Sequence, residues 1–185
     1  VAQDNLAGAV SLVNIGTIPA GTDVIGYHLL ANGDQLLSFD TTVTLPGGIT
    51  ARPGDVVRFN GATYTMQFDA AANGVPNGVV TNAVSVINGG DLLLSFDTTV
   101  TLGAVTANKE DLVRFNGATF TLFFNGGAAG VSSGLNLDGA HYLDGNSHLL
   151  LSFDGSGTVG GVAFDDEDVL EFDPGANTWQ MSYDG

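Results

Sequence analysis

The ten-residue sequence Leu-Leu-Ser-Phe-Asp-Thr-Thr-Val-Thr-Leu occurs at residues 36–45 and again, unchanged, at residues 93–102. A third and shorter copy, Leu-Leu-Ser-Phe-Asp, occupies residues 150–154. The serines of the three copies, Ser38, Ser95 and Ser152, follow one another at a constant spacing of 57 residues. Self-similarity at a fixed period of this length is typical of repeat proteins, in which each repeat is one supersecondary unit. The chain is therefore a tandem repeat.

A second block of sequence recurs together with the first. It reads Val-Arg-Phe-Asn-Gly-Ala-Thr at residues 57–63 and at residues 113–119, and its remnant lies at residues 169–173. The two blocks predict an N-terminal strand and connector followed by three units. The predicted bounds are residues 1–23 for the connector, 24–80 for unit 1, 81–137 for unit 2 and 138–185 for unit 3.

Within each unit the apolar residues alternate with a period of two, which indicates β-strands. In unit 2 the candidate strands are residues 83–87, 92–97, 112–115 and 119–125. Short turns rich in Asn and Gly and one 14-residue connection separate them. Such a pattern predicts an antiparallel meander. We expect an all-β fold of three four-stranded meanders of about 57 residues each, plus an extra N-terminal strand.

The pattern of large side chains predicts which strand faces are buried. In the last strand of unit 2, Phe120, Leu122 and Phe124 alternate and are expected to share one core face. In the second strand, leucines at residues 92–94 occupy both faces, which is typical of a central strand covered on two sides. Trp179, Met181 and Tyr183 form the corresponding column in unit 3, which either packs between units or forms an exposed sugar-binding surface.

Residues 172–179, Phe-Asp-Pro-Gly-Ala-Asn-Thr-Trp, resemble the turn between the last two strands of a kelch-type β-propeller blade, as found in bacterial extracellular proteins. The resemblance implies a blade-like meander of four antiparallel strands. The period of 57 residues is longer than the kelch period of about 50. Ser-Phe-Asp also stands where a kelch blade has paired glycines, so the resemblance extends to the blade and not to the family's partner-binding role.

Composition excludes several classes of function. The chain has 20 acidic and 4 basic residues and a net charge of −16, which disfavours nucleic acid and anionic membrane surfaces as partners. No apolar run approaches the roughly 18 residues of a membrane span, so none is predicted. The chain has no cysteine, which excludes disulfides. An acidic, Cys-free composition rich in Gly, Asn and Thr is typical of secreted bacterial surface proteins, and we expect an extracellular or cell-surface location.

Carboxylates recur at fixed positions of the repeat, after the second strand and before the third. The strongest candidate calcium ligands are Asp97, Asp111, Asp154, Asp165 and Asp168. Oxygen ligands on loops suit Ca²⁺, but a recurring Asp that caps backbone amides in a turn explains the same pattern. Both interpretations stay open, and no other cofactor is predicted.

The richest group of chemically active side chains consists of Asp138, His141, Asp144 and His148. On a strand, His141 projects away from Asp138 and Asp144, and the uniform spacing places Val84 opposite His141 in unit 2. A transition-metal site is therefore not predicted. The repeated serines have no repeated histidine near them, and no nucleophilic triad or pair of catalytic carboxylates is recognised, so we predict that the protein is not an enzyme.

The N-terminal segment supplies one strand more than the units need. Residues 6–13 resemble the fourth strand of a unit, and unit 3 already has its own fourth strand. Three blade-like units leave unpaired sheet edges, which favour association. The sequence therefore predicts donation of this strand to a neighbouring copy, with Ala9, Val10, Ser11, Leu12 and Val13 as the interface. The alternative is that residues 1–22 cover an edge of their own chain.

Two functions follow from these observations. The first is an extracellular structural protein that assembles with itself, as the subunit of a filament or surface layer linked by the N-terminal strand. The second is a propeller-like module, alone or as a six-bladed dimer, that binds a glycan or a protein partner. Arg58 and Arg114 are replaced by Glu171 in unit 3, and this charge reversal suggests a pairing between copies.

Overall fold

The same arrangement of six strands occurs three times along the chain. The computed structural model describes residues 2–4, 10–87 and 89–185. None of these residues lies in a helix, and so no helix that could cross a membrane is found among them. The chain begins with two short strands, β1 (Ala2–Asp4) and β2 (Val10–Leu12), which pair antiparallel with each other.

Each unit forms one four-stranded sheet and one hairpin. The strands of unit 1 are β3 (Val24–Leu29), β4 (Gln35–Phe39), β5 (Val43–Leu45), β6 (Ile49–Ala51), β7 (Val56–Phe59) and β8 (Tyr64–Phe68). Those of unit 2 are β9 (Thr81–Ile87), β10 (Asp91–Phe96), β11 (Val100–Leu102), β12 (Val105–Ala107), β13 (Leu112–Phe115) and β14 (Phe120–Phe124). Those of unit 3 are β15 (Leu137–Leu143), β16 (His148–Phe153), β17 (Gly157–Val159), β18 (Val162–Phe164), β19 (Val169–Asp173) and β20 (Thr178–Tyr183).

The sheets are antiparallel meanders in the order β3-β4-β7-β8, β9-β10-β13-β14 and β15-β16-β19-β20, called sheets 1, 2 and 3 below. The predicted all-β fold of three tandem meanders is confirmed. The sequence did not indicate the hairpins β5–β6, β11–β12 and β17–β18, which lie beside the sheets. In unit 2 this hairpin occupies the predicted 14-residue connection. Its strands have three residues each, which is shorter than the four to eight residues over which alternation is recognised.

The turns between the last two strands of each sheet are set by one side chain. Asn60 Oδ1 accepts hydrogen bonds from the backbone N–H groups two and three residues later, at 3.0 and 2.9 Å, and Gly61 has a φ of +90°. Asn116 and Gly117 repeat this geometry in unit 2. In unit 3, Asp173 Oδ1 accepts the corresponding bonds at 2.8 and 3.1 Å. The turn between the last two strands is thus an Asx turn in all three units.

The two faces of a sheet pack against different neighbours. Leu36, Val56 and Phe68 project from one face of sheet 1 into a core shared with sheet 2. The opposite face of sheet 1 packs against Ile15 and Ile18 of the N-terminal segment. Sheets 2 and 3 share the remaining core. The units therefore bury their apolar side chains mainly between neighbours, as stacked repeats do.

The second strand of each unit shows how completely each sheet is covered. All five residues of β4 are buried, as are the last five of β10. In β16, by contrast, buried and half-buried residues alternate. The prediction of a central strand covered on two sides is confirmed for units 1 and 2. In unit 3 only one face of the sheet is covered within the described structure.

Strand β14 divides its apolar side chains between the two faces of sheet 2. Phe120 packs toward sheet 1, whereas Phe124 belongs to the core shared with sheet 3. Leu122 is 39% exposed. The prediction that these three residues share one buried face is wrong, because a β-bulge interrupts the pairing of β13 with β14 between Leu112 and Val113. A bulge inserts one extra residue and so moves the following side chains to the other face.

The repeated serine ties each unit to the next. Ser38 Oγ accepts a hydrogen bond from the backbone of β3 at 2.8 Å and donates one to the carbonyl oxygen of Thr81, in unit 2, at 2.7 Å. Ser95 Oγ makes the same two bonds and donates to the carbonyl oxygen of Leu137, in unit 3, at 2.8 Å. Both serines are fully buried, and their hydroxyl groups thus satisfy backbone groups on two units at once.

Candidate ligand site

The first strands of the three units lie next to one another. Strand β9 contacts both β3 and β15, and β3 also contacts β15. Strand pairing places His28, Ser85 and His141 at equivalent positions, each opposite the leucine that begins the repeated Leu-Leu-Ser sequence. The uniform spacing that equates Val84 with His141 is wrong by one residue, because the turn after β15 is one residue longer than the turn after β9.

A cavity of about 880 Å³ opens beside these strands. It is lined by residues 28–32 of unit 1, by Val86 and Gly90 among others of unit 2, and by residues 141–146 of unit 3. Arg58 adds a guanidinium group to the lining. All three units therefore contribute to one concave site, and such sites are where small ligands are most often bound.

Two histidines from different units face each other in this cavity. The rings of His28 and His141 have centroids 5.5 Å apart and planes inclined at 30°. His28 is 8% exposed, whereas His141 is exposed. Burial, followed by the charge of His141, lowers the pKa of His28 to about 4, and the carboxylate of Asp144 opposes this change. With a pKa that far below 7, the His28 imidazole is uncharged at neutral pH.

One pair of an acidic and a basic side chain recurs in every unit beside the turn between the first two strands. The pairs are Asp34 with Arg58, Asp91 with Arg114, and His148 with Glu171. Nε of each arginine lies 2.6 Å from its carboxylate, and His148 Nδ1 also lies 2.6 Å from Glu171 Oε1. The hydrogen bonds from His148 and then Gln180 lower the pKa of Glu171. Unit 3 therefore exchanges the positions of the acidic and the basic side chain, and Glu171 has its partner within its own unit.

One face of sheet 3 is exposed where its counterparts are covered. Phe68, Phe124 and Tyr183 occupy equivalent positions, each paired with the residue that begins the fifth strand of its unit. They are 1%, 4% and 44% exposed, respectively. Phe68 and Phe124 insert against aromatic rings of the next unit. Tyr183 stands at the open face and has no such neighbour among the described residues.

Trp179 packs between units 2 and 3. It is 8% exposed, and its Nε1 donates a hydrogen bond to the carbonyl oxygen of Ala129 at 3.0 Å. Its ring centroid lies 4.7 Å from that of Phe172 and 6.1 Å from that of Phe124. A buried and hydrogen-bonded indole does not form an exposed sugar-binding surface, so of the two alternatives the structure favours packing between units.

The predicted interface residues lie at the N-terminal pair of strands. Ala9 is outside the described residues, while Val10–Leu12 forms β2 and pairs with β1. The side chain of Leu12 is 89% exposed, and Val13 is half-buried. The segment that follows covers sheet 1 of its own chain, where Tyr64 Oη donates a hydrogen bond to the carbonyl oxygen of Ile15 at 2.5 Å. Residues 14–18 therefore cover one face of sheet 1 and are called the cap below. Residues 10–13 lie N-terminal to the cap.

Two of the candidate calcium ligands hold the start of the first strand in place. Asp97 Oδ1 accepts a hydrogen bond from the backbone N–H of Val80 at 2.9 Å, and Asp154 Oδ1 accepts one from Asn136 at 2.7 Å. The aspartate of the repeated Ser-Phe-Asp sequence is therefore a backbone cap.

The other three candidates also bind backbone amides. Asp111 and Asp168 use both carboxylate oxygens to accept N–H hydrogen bonds of 2.8–3.0 Å. Asp165 Oδ1 accepts one from the backbone of Glu167 at 3.2 Å. In the described part of the chain, no three His, Asp or Glu side chains are grouped so as to hold a metal ion. The turn-capping interpretation accounts for these carboxylates, and calcium binding stays a prediction.

Unit 3 uses its repeated serine differently from the other units. Ser152 Oγ donates a hydrogen bond to Asp138 Oδ1 at 2.7 Å. Burial raises the pKa of Asp138, against the lowering effect of the bond from Ser152, and the nearby charge of Asp154 adds to the rise. Unit 2 has Asn82 at the equivalent position, and Asn82 is 6% exposed. In unit 2 the protein therefore already has a neutral side chain at the position of Asp138.

We expect Asp138→Asn to raise the thermal unfolding midpoint at pH 7, because asparagine keeps an oxygen for Ser152 and has no charge to desolvate. With the pKa raised on folding, folded Asp138 binds more protons than unfolded Asp138 between its ordinary and its raised pKa. Its contribution to stability therefore falls as pH rises through that window. Unfolding midpoints measured across acid and neutral pH should lose this decline in the variant. The exposed Asp184→Asn is the control, and an unchanged pH dependence in Asp138→Asn would contradict the expectation.

The four chemically active residues of unit 3 do not act together. Asp138 and His148 are held within unit 3 by other partners, whereas His141 faces His28 of unit 1, and Asp144 lines the same cavity. The sequence pattern missed the pairing of His28 with His141. The two histidines occupy the same position in their units, and this could have indicated the pair. The equivalence appears only when unit 3 is aligned with one extra residue in the turn after its first strand.

The chain matches no protein-family model, and no curated protein matches it either.

Proposed function

We propose that the protein is a structural subunit whose copies associate end to end, through the open face of sheet 3, into a filament or surface layer outside the cell. The observation that carries this proposal is that the equivalent face of sheets 1 and 2 is covered by the next unit of the same chain. This face of sheet 1 binds unit 2, and the same face of sheet 2 binds unit 3. We therefore expect the same face of sheet 3 to bind a further unit. The acidic, Cys-free composition supports the extracellular location.

The occupant of the open face is the N-terminal end of a second copy. Tyr183 stands where Phe68 and Phe124 insert against a pair of rings in the following unit. Unit 1 has the equivalent ring pair, Phe59 and Tyr64, with centroids 4.7 Å apart. Since residues 14–18 cap this pair, the second copy presents the capped end of sheet 1 together with β2.

Strand β2 supplies the connection that the sequence predicts for residues 9–13. In sheet 3, β20 is an edge strand, and β2 pairs on one side with β1 within the described residues. Addition of β2 to β20 of the neighbouring copy extends sheet 3 by main-chain hydrogen bonds. Burial of Leu12, which is 89% exposed, removes a large apolar side chain from water. Because donor and acceptor lie at opposite ends of the repeat array, repeated addition produces an open polymer.

The test is the mass of the purified protein by light scattering, together with negative-stain micrographs. The wild type is expected to form assemblies far above the monomer mass of 18.9 kDa. Tyr183→Asp puts a charge on the open face, and deletion of residues 1–13 removes β2 but keeps the cap. Tyr183→Asp should return the protein to the monomer mass of 18.9 kDa and the deletion to the smaller mass of its own monomer, each with an unfolding midpoint close to that of the wild type. Leu122→Lys is the matched control, because Leu122 is an exposed apolar residue of sheet 2 and lies outside the contact.

A wild type that remains at 18.9 kDa over the accessible concentration range contradicts the proposal. So does an assembly that Tyr183→Asp and the deletion leave intact. A discrete dimer would instead favour the six-bladed binding module, for which the cavity of about 880 Å³ is the place to look for a bound glycan.

A further inference from the structure

The His28–His141 pair has no counterpart in unit 2. Most structural features of the chain occur in all three units, including the Asx turn, the paired charges and the carboxylate caps. At the position of the histidines, unit 2 has Ser85, which is fully buried and accepts a hydrogen bond from the backbone N–H of Tyr142 at 3.1 Å. Repeat packing therefore does not require histidine at this position, and the pair is a singular feature of the cavity.

The imidazole rings of His28 and His141 do not take part in the hydrogen bonds that hold the described structure together. His28 is 8% exposed and lines the cavity, yet neither His28 nor His141 forms a hydrogen bond with another described residue. The ring nitrogens of His28 are not among the buried, unpaired polar atoms of the described residues, so they are open to the cavity. A ligand that enters the cavity can therefore reach them.

The spacing of the two rings fits coordination of one ion. A histidine nitrogen binds Zn²⁺ at about 2.0–2.1 Å, and two imidazoles at a tetrahedral angle then have their centroids about 5 Å apart. The observed separation of the His28 and His141 centroids is 5.5 Å. Imidazole nitrogen is a ligand preferred by Zn²⁺, Cu²⁺ and Ni²⁺ over the hard cations Ca²⁺ and Mg²⁺. Asp144 lines the same cavity and lies near enough for its charge to act on His28.

We propose that His28 and His141 bind a divalent transition-metal ion in this cavity, with Asp144 as the third protein ligand and water completing the coordination. The described residues contain no ready-made group of three metal ligands, so Asp144 turns toward the ion when it binds. The ion links β3 of unit 1 to β15 of unit 3, which have β9 as their common neighbour. The ion therefore links unit 1 to unit 3. Because it binds the folded chain and not the unfolded chain, it raises the free energy of unfolding. This inference does not depend on how copies of the protein associate.

The experiment is titration of the full chain with Zn²⁺ by calorimetry, with excess Mg²⁺ present to occupy surface carboxylates. We expect one ion per chain and a rise in the thermal unfolding midpoint that a chelator reverses. His28→Gln and His141→Gln should each weaken binding by at least about tenfold, since each removes one of two nitrogen ligands. The matched control is His148→Gln, which replaces the third histidine of the chain and should bind as the wild type does.

A spectroscopic measurement separates loss of a ligand from loss of folding. Bound Cu²⁺ should show coupling to two imidazole nitrogens in the wild type and to one in His141→Gln, where the altered side chain is exposed and folding is expected to be intact. The proposal is overturned if no ion binds in the presence of Mg²⁺. It is also overturned if His148→Gln weakens binding as much as the other two variants, or if His141→Gln keeps the wild-type affinity and spectrum.

Discussion

Replacement of Phe124 by alanine is expected to lower the free energy of unfolding by about 3–5 kcal/mol, the usual cost of truncating a buried aromatic side chain. Phe124 is 4% exposed and lies in the core between sheets 2 and 3. Its ring meets Phe172 and Trp179 edge-on, with centroids 5.2 and 6.1 Å away. The variant leaves a cavity at the contact between two units and therefore weakens their coupling as well as unit 2 itself.

The next residue in the chain provides the control for this prediction. Phe123 belongs to the same strand, is 38% exposed and contacts only the ring of Tyr142 among the aromatic side chains, at 6.0 Å. We expect Phe123→Ala to cost at least about 1 kcal/mol less than Phe124→Ala, because 38% of Phe123 is already exposed to water. Urea unfolding followed by circular dichroism measures both values. Equal costs for the two variants would mean that β14 is not bulged in the way described.

Replacement of Asp111 by alanine is expected to lower the free energy of unfolding by about 3 kcal/mol, because it leaves one buried and one partly buried backbone donor without acceptors. Asp111 is 2% exposed, and its two oxygens accept hydrogen bonds from the N–H groups of Asn108 and Gly126, both at 2.8 Å. These bonds join the loop before β13 to the loop after β14. The Asp111 carboxylate therefore holds these two loops together at one end of sheet 2.

The same measurement decides between the two roles of the recurring carboxylates. Asp166→Ala, at an exposed position in the equivalent loop of unit 3, is the control and should cost less than about 0.5 kcal/mol. If the carboxylates only cap backbone amides, a chelator leaves the unfolding midpoint of wild-type protein prepared free of transition-metal ions unchanged. A midpoint that falls in chelator and is restored by Ca²⁺ would establish calcium binding, and a cost below about 1 kcal/mol for Asp111→Ala would contradict the capping role.

Much of the fold could be predicted from the sequence because its signals are local. The alternation around Phe120, the leucines at residues 92–94 and the Asn-Gly turns each depend on neighbouring residues, and each indicated a strand or a turn where one is found. The short hairpin β11–β12 was missed because three residues of alternation are too few to recognise. Phe124 was assigned to the wrong face because a bulge has no reliable signature in one sequence.

The candidate site was less predictable because its residues come from distant parts of the chain. His141 was correctly identified as chemically capable, but its neighbour is His28 of unit 1 and not a residue of its own strand. The sequence also did not predict the open face around Tyr183. Tyr183 continues the same alternation as the residues at its position in units 1 and 2, which are buried.

Local signals were enough to predict the three repeats, the all-β class and the doubly covered second strands of units 1 and 2, because identical segments with a period of two have the same local preferences wherever they occur. Only the tertiary structure decided which faces meet, that Ser38 and Ser95 bond to the following unit, that sheet 3 keeps one face open, and that two histidines share a cavity. The physical reason is that burial depends on neighbours that are distant in the chain. Identical strands are covered or exposed according to whether another unit lies against them.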